Sequence, residues 1–213
     1  MLTVHHLGRS QSERIVWLCE ELALPYELKR YERDPVTLLG PPALKALHPL
    51  GTAPVITEGD LVLAESGAII EYLLARHGDG RLTPAVDADE FPTYLYWFHF
   101  ANGTLQPSMG RTMSLRRLDL AANNPTLLAV QGRLKHALTL IERRLGEADY
   151  LAGNTFTAAD IVTVFSLTTM RLYLPLELSP YPNILAYLQR IGQREAYQRA
   201  MQKGDPDLAP MLT

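Results

Sequence analysis

Only one cysteine, Cys19, occurs in the 213 residues. A lone thiol cannot close an internal disulfide, so no disulfide framework supports this fold and a reducing compartment suits the chain. Cys19 falls in the apolar row of a helix, where it reads as inert core. Long apolar runs are also missing: none approaches the roughly 18–20 residues that a spanning helix needs. The opening MLTVHHLGRS turns polar within a few residues, so neither a signal peptide nor a membrane span is expected, and the reading is a cytoplasmic protein. Basic runs are absent too. Net charge is −3 at pH 7 and Lys and Arg are scattered, which argues against nucleic acid or an anionic membrane as the main partner. A metal centre lacks its ligands: His5 and His6 point to opposite faces of a strand, and no Cys or acidic residue sits at ligand spacing.

The chain does have a 47% hydrophobic content, enough to fill one large core or two small ones. Leu2 to Leu7 is a β-branched and aliphatic run ended by Gly8, a first strand. Ile15, Val16, Leu18, Cys19 and Leu22 then keep helical spacing, with Glu13, Glu20 and Glu21 on the other side. Ser10 or Ser12 therefore stands near a helix N-terminus. A thiol bound there ionises more easily, because the helix dipole and free N–H groups favour an anion, and a hydroxyl can donate a further hydrogen bond to it. On the residues alone, an N-capping serine is the competing reading. Pro25 breaks the helix, Tyr26 to Lys29 begins a second strand, and Pro41-Pro42 lead into a short helix.

The stretch GTAPVITEGDLVLAESGAIIEYLL, Gly51 to Leu74, is the one around which the chain is organised. Pro54 opens a short strand (Val55 to Thr57), a Glu-Gly-Asp turn leads to a second (Leu61 to Ala64), and Ser66 is the expected N-cap of an amphipathic helix. Spacing alone keeps the Ala53–Pro54 bond trans. A helix start can hold a small anion, and Glu65 beside it could pair with an ammonium group. The strand, helix, strand, helix, hairpin and helix make a four-stranded thioredoxin-like α/β layer over residues 1–77. A polar, Gly-rich linker, 78–90, marks the domain boundary.

Residues 91–213 read as all-helical. Tyr94, Tyr96, Trp97, Phe98 and Phe100 crowd a helix that weakens at Asn102-Gly103-Thr104 and breaks at Pro107 and Gly110. Pro125 to Leu145 is a long amphipathic helix. Thr157 with Asp160 forms a capping box, and Phe156 with Ile161 the hydrophobic staple around it, so this pair belongs to folding. Two short helices, Asn183 to Ile191 and Glu195 to Met201, finish the chain.

The segment Gly51 to Leu74 resembles the glutathione-binding segment of the cytosolic glutathione transferases, with its cis-proline strand, hairpin and acid-Ser pair opening a helix. By that resemblance Pro54 is the cis proline, Ala53 bonds the cysteinyl backbone of glutathione, and Glu65 with Ser66 holds its γ-glutamyl end. Ser10, four residues before Arg14, matches the serine-type enzymes, whose serine bonds the glutathione sulfur; Ser12 is its rival. The tyrosine-type and cysteine-type patterns are absent. Arg14 is assigned to the fold or a subunit contact. The turn His48-Pro49-Leu50-Gly51 departs from the family's usual Asn-Pro, leaving His48 or Lys45 to hold the glycine carboxylate. Tyr94-x-x-Trp97 and Ala101-Asn102-Gly103-Thr104-Leu105-x-Pro107 resemble a fungal and bacterial branch, in which this helix lines the electrophile pocket; Gln106, Met109, Arg111 and Met113 are the candidates. The resemblance implies a homodimeric transferase with glutathione as co-substrate and no metal, adding the thiolate to a hydrophobic electrophile. Alternatives on the same fold are a glutathione-dependent peroxidase or isomerase, and a non-catalytic interaction protein.

Overall fold

A computed structural model describes residues 1–213. The chain opens with β1 (Leu2–Leu7), α1 (Glu13–Glu21), β2 (Tyr26–Tyr31) and the short α2 (Pro42–Lys45), followed by β3 (Val55–Glu58), β4 (Leu61–Ala64) and α3 (Ser66–His77). The four strands form one sheet in the order β2-β1-β3-β4. β1 and β2 are parallel and need the α1 crossover, whereas β1–β3 and β3–β4 are antiparallel. Gly59, at φ 58°, supplies the left-handed residue of the β3–β4 turn. This is the thioredoxin-like layer expected from the order of elements. No strand or helix occurs between α3 and residue 91.

The remainder is helical: α4 (Phe91–Phe100), a π-helical turn (Ala101–Leu105), α5 (Gln106–Arg116), α6 (Pro125–Glu147), α7 (Ala158–Leu167), a 3-10 turn (Thr169–Leu172), α8 (Pro182–Gly192) and α9 (Glu195–Gly204). The break expected at Pro107 and Gly110 does not occur. The wide π turn falls on the weak stretch Asn102-Gly103-Thr104, so that Pro107, which has no N–H to donate, stands in the first turn of α5 and the helix runs on through Gly110. The capping box of α7 is present, with the Thr157 N–H donating to Asp160 Oδ2 at 2.9 Å. No helix is long and apolar enough to cross a membrane.

Two compact units result, Met1–Leu82 with Ile191–Pro210 and Thr83–Arg190 with Met211–Thr213. The first differs from the 1–77 boundary drawn on the sequence because α9 returns to α1. Trp17 meets Tyr197 edge to face with ring centroids 4.9 Å apart, and Arg194 donates to both carboxylate oxygens of Glu21, at 2.7 and 2.8 Å. Glu20 accepts from Arg199 at 3.1 Å and from Lys203 at 2.5 Å. Glu20 and Glu21, on the acidic side of α1, are thus paired with basic residues of α9. Within the second unit, the core runs along α7, whose ten residues are all buried.

Candidate active site

The loop between β1 and α1 is fixed by its backbone. Gly8 N–H donates to the Tyr31 carbonyl at 3.0 Å, while Arg33 donates to the carbonyls of Gly8 and Arg9 at 3.0 and 3.1 Å. Arg9, at φ 55°, turns the chain and donates its N–H to Asp205 Oδ1 at 2.9 Å. The loop thereby delivers Ser10 and Ser12 to the start of α1, where the Ser10 carbonyl accepts from Glu13 N–H at 3.1 Å.

The two serines differ in what they touch. Ser12 stands at the N-cap position, yet its side chain makes no cap bond. Its Oγ lies 2.9 Å from His6 Nδ1, accepts from Leu7 N–H at 3.1 Å, and is 3.3 Å from the Leu7 carbonyl. Ser10 Oγ lies 2.7 Å from Ser12 Oγ and accepts from Ser12 N–H at 3.2 Å. Ser12 has no exposed surface, while Ser10 keeps 7%. Behind them, His6 Nε2 lies 3.2 Å from Asp205 Oδ2 as a charge contact, and neither atom has a hydrogen-bond partner. Burial would raise the Asp205 carboxyl, but His6, Arg9 N–H and Arg30 outweigh it and hold the group below its ordinary value.

Sequence reading gave His6 no part in this cluster and did not find Asp205. The two are 199 positions apart, and no local signal links a residue at the end of α9 to β1. His5 occupies the other face of the strand, with Nδ1 3.0 Å from the Tyr31 hydroxyl and Nε2 3.2 Å from Thr57 Oγ1. Burial, with Lys29 adding to it, pushes the His5 pKa down.

At the head of α3 the expected cap is displaced by one residue. Ser66 is the first helical residue and Glu65 occupies the N-cap position at φ 71°, ψ 115°, without a side-chain cap bond. The Ser66 Oγ accepts from Arg14 Nη1 at 3.1 Å, and Arg14 Nη1 also donates to Gln11 Oε1 at 3.1 Å. Arg14 is entirely buried, which agrees with its assignment to the fold. Glu65 is exposed.

Pro54 stands after a cis peptide bond from Ala53, as the resemblance implied and spacing alone did not. The Ala53 carbonyl accepts from Gln11 Nε2 at 3.4 Å, so the loop before α1 and the strand edge are joined. His48 is half-buried and its Nδ1 accepts from Leu50 N–H at 3.2 Å; Lys45 is exposed at the end of α2.

In the helical unit, Met109 has no exposed surface, Gln106 and Met113 are half-buried, and Arg111 is exposed. Arg111 borders two shallow hollows between α5 and α6, one lined with Pro107 and Leu115 and the other with Ser108 and His136.

Against known proteins, the family model described as "Glutathione S-transferase, N-terminal domain" matches residues 9–76, and "Glutathione S-transferase, C-terminal domain" matches residues 104–195. The chain is 33% identical over 219 residues to glutathione S-transferase 3 of Schizosaccharomyces pombe, covering 95% of this chain and 88% of that one. It is 27% identical over 223 residues to glutathione S-transferase 1 of Saccharomyces cerevisiae, covering 95% of both. Among solved structures, a glutathione S-transferase from Actinobacillus pleuropneumoniae superposes with a TM-score of 0.89 at 36% identity, over 98% of this chain and 97% of that one.

Proposed function

The chain belongs to the glutathione S-transferase family and is an enzyme of that family, and from this premise we propose that it adds the glutathione thiolate to a hydrophobic electrophile, with Ser10 as the hydrogen-bond donor to the sulfur. The observation that carries the assignment of Ser10 is the contrast in burial. Ser12 is enclosed and committed to His6 and Leu7, whereas Ser10 retains exposed surface at the same helix start. A hydroxyl that donates to a thiolate stabilises the charged form and lowers the thiol pKa, and the N-terminus of α1 adds its partial positive charge.

In this reading the Ala53 backbone beside Pro54 bonds the cysteinyl part of glutathione. Ser66 and the N–H groups that open α3 take the γ-glutamyl carboxylate, and Glu65 its ammonium group. Lys45 and His48 remain the two candidates for the glycine carboxylate. Gln106, Met109, Arg111 and Met113 are the candidates for the electrophile wall; an unbranched thioether suits varied apolar ligands. The enzyme acts as a cytoplasmic homodimer in detoxification.

The deciding experiment is an ultraviolet titration of bound glutathione thiolate in wild type, Ser10→Ala and Ser12→Ala. Wild type is expected to ionise glutathione below its solution pKa, and Ser10→Ala to abolish that shift. If no glutathione binds, the chemistry is lost and the chain is an interaction protein on a transferase fold. If glutathione is ionised but no electrophile is conjugated, hydroperoxides and isomerisable substrates are the next to test, because they use the same thiolate.

A further inference from the structure

We propose that Ser12, His6 and Asp205 form a proton-accepting chain behind Ser10, through which the glutathione thiol delivers its proton to the imidazole of His6. The inference rests on the reading that Ser10 meets the sulfur. It is carried by four side chains in line: Ser10 Oγ to Ser12 Oγ at 2.7 Å, Ser12 Oγ to His6 Nδ1 at 2.9 Å, and His6 Nε2 to Asp205 Oδ2 at 3.2 Å.

Counting hydrogens fixes what each state presents. The Asp205 carboxylate, held below its ordinary pKa, lies against His6 Nε2 and favours a hydrogen on that nitrogen in either charge state. With neutral His6, Nδ1 is an acceptor. Ser12 must then donate to Nδ1 and Ser10 must donate to Ser12, so Ser10 offers only lone pairs to a ligand. With the imidazolium, Nδ1–H donates to Ser12 and Ser12 donates to Ser10, and the Ser10 hydrogen is released to face a sulfur anion. The Leu7 carbonyl, at 3.3 Å, is the longer alternative for the Ser12 hydrogen.

The two states differ by one proton, and the thiol supplies it. The S–H bond breaks as its proton passes to Ser10 Oγ, the former Ser10 proton passes to Ser12 Oγ, and the former Ser12 proton bonds to His6 Nδ1. Both serines end neutral. The products are a thiolate facing the Ser10 hydroxyl and an imidazolium beside the Asp205 carboxylate. The neutral state thus accepts from a thiol and the charged state donates to a thiolate, which is what an ionising site requires of one hydroxyl. Ser12, His6 and Asp205 act through Ser10 and are positioning residues.

Other charged groups stand on the elements packed around His6. On β2 its register partner is Arg30, and Glu32 comes directly after that strand. On α1, Glu13 stands in the first turn, Arg14 is turned to Gln11 and Ser66, Glu20 to Tyr26, Arg199 and Lys203, and Glu21 to Trp17 and Arg194. On α9 the His6 ring lies against Gly204, where an added Cβ would stand 3.3 Å from Nε2.

The test is nitrogen NMR of histidine-labelled protein, with His6 identified by its loss in His6→Gln, at a pH where the free protein holds His6 neutral. Glutathione is expected to convert His6 to the doubly protonated form, whereas S-methylglutathione, which has no thiol proton, is expected to leave it neutral. Asp205→Asn keeps the acceptor for Arg9 N–H and removes the charge; it is expected to raise the bound-thiol pKa by about one unit, leaving about tenfold less thiolate below it. Identical His6 signals with the two ligands overturn the proposal, as does an unchanged thiol pKa in folded Asp205→Asn. If that variant does not fold, the wild-type comparison alone decides. Wild type that binds neither ligand overturns the functional reading itself, a different result from bound glutathione with His6 unmoved.

Discussion

Arg14 Nη1 donates to Ser66 Oγ at 3.1 Å, tying the first turn of α1 to the first turn of α3 through a guanidinium with no exposed surface. Burial brings its pKa down to about 9, against a smaller opposing effect from Glu13, so the group is charged at neutral pH. Removing it leaves a void and strips partners from Ser66 and Gln11. Arg14→Ala is expected to cost about 3 kcal/mol in denaturant unfolding. Arg14→Lys supplies one point donor in place of the planar fork and is expected to recover only part of that loss. Recovery to wild-type stability in Arg14→Lys would show that charge alone suffices.

Glu65 stands at φ 71°, a conformation that L residues adopt at a cost, at the position proposed for the glutathione ammonium. The strain and the carboxylate can be separated. Glu65→Gly relieves the first and removes the second, so it is expected to gain about 1 kcal/mol of stability while glutathione affinity falls by about tenfold. Glu65→Ala keeps the strain, and is expected to lose the same affinity without gaining stability. Calorimetric titration with glutathione beside thermal unfolding reads both. Unchanged affinity in the two variants removes Glu65 from the binding site.

How much of the fold was legible depends on the range of each signal. Short β-branched and aliphatic runs marked β1 and β4 with their observed ends, and the Thr157-Asp160 spacing marked the start of α7, because these patterns act within a few residues. The fungal and bacterial resemblance carried by Tyr94-x-x-Trp97 agrees with relatives from Schizosaccharomyces pombe and Actinobacillus pleuropneumoniae. Ser66 was misplaced as a cap because the helix begins at it, with Glu65 in the N-cap position at φ 71°, a backbone turn that residue types alone do not mark. The partners of Glu20 and Glu21 were not legible either, since they lie on α9. Asp205, which the sequence left unread, comes to the candidate site through a contact between distant segments.

The Glu20 cluster gives a pH dependence with a definite sign. Burial raises its pKa, but hydrogen bonds from Lys203, Tyr26 and Arg199 outweigh this and bring it below the ordinary 4.5. A carboxylate with a depressed folded pKa contributes stability that is complete above the unfolded value and is lost as pH falls through the folded one. Lys203 and Arg199 are each half-exposed, so solvent screening limits the contribution to about 1 kcal/mol. Thermal unfolding is therefore expected to separate wild type from Glu20→Gln at pH 7, and the gap to close below about pH 4.5. A gap that persists to about pH 3 would assign the difference to packing instead.

Asp160 tests the division between folding and chemistry. Its carboxylate accepts from Leu151 N–H at 3.0 Å, Thr157 N–H at 2.9 Å and the Tyr187 hydroxyl at 3.0 Å, all inside the helical unit and without exposed surface. Replacing it by alanine orphans four buried donors at once, the Thr157 hydroxyl at 3.3 Å among them. Asp160→Ala is expected to cost about 3 kcal/mol or more, a fall in Tm of roughly 6–12 °C for a chain of this size. Asp160→Asn keeps one acceptor oxygen but turns an NH2 group toward a donor, and should lie between the alanine variant and wild type. At a temperature where the variants are folded, kcat and KM for glutathione are expected to match wild type, because every partner of this carboxylate belongs to the helical scaffold. A variant with normal Tm and depressed kcat would move Asp160 from the scaffold into the catalytic machinery.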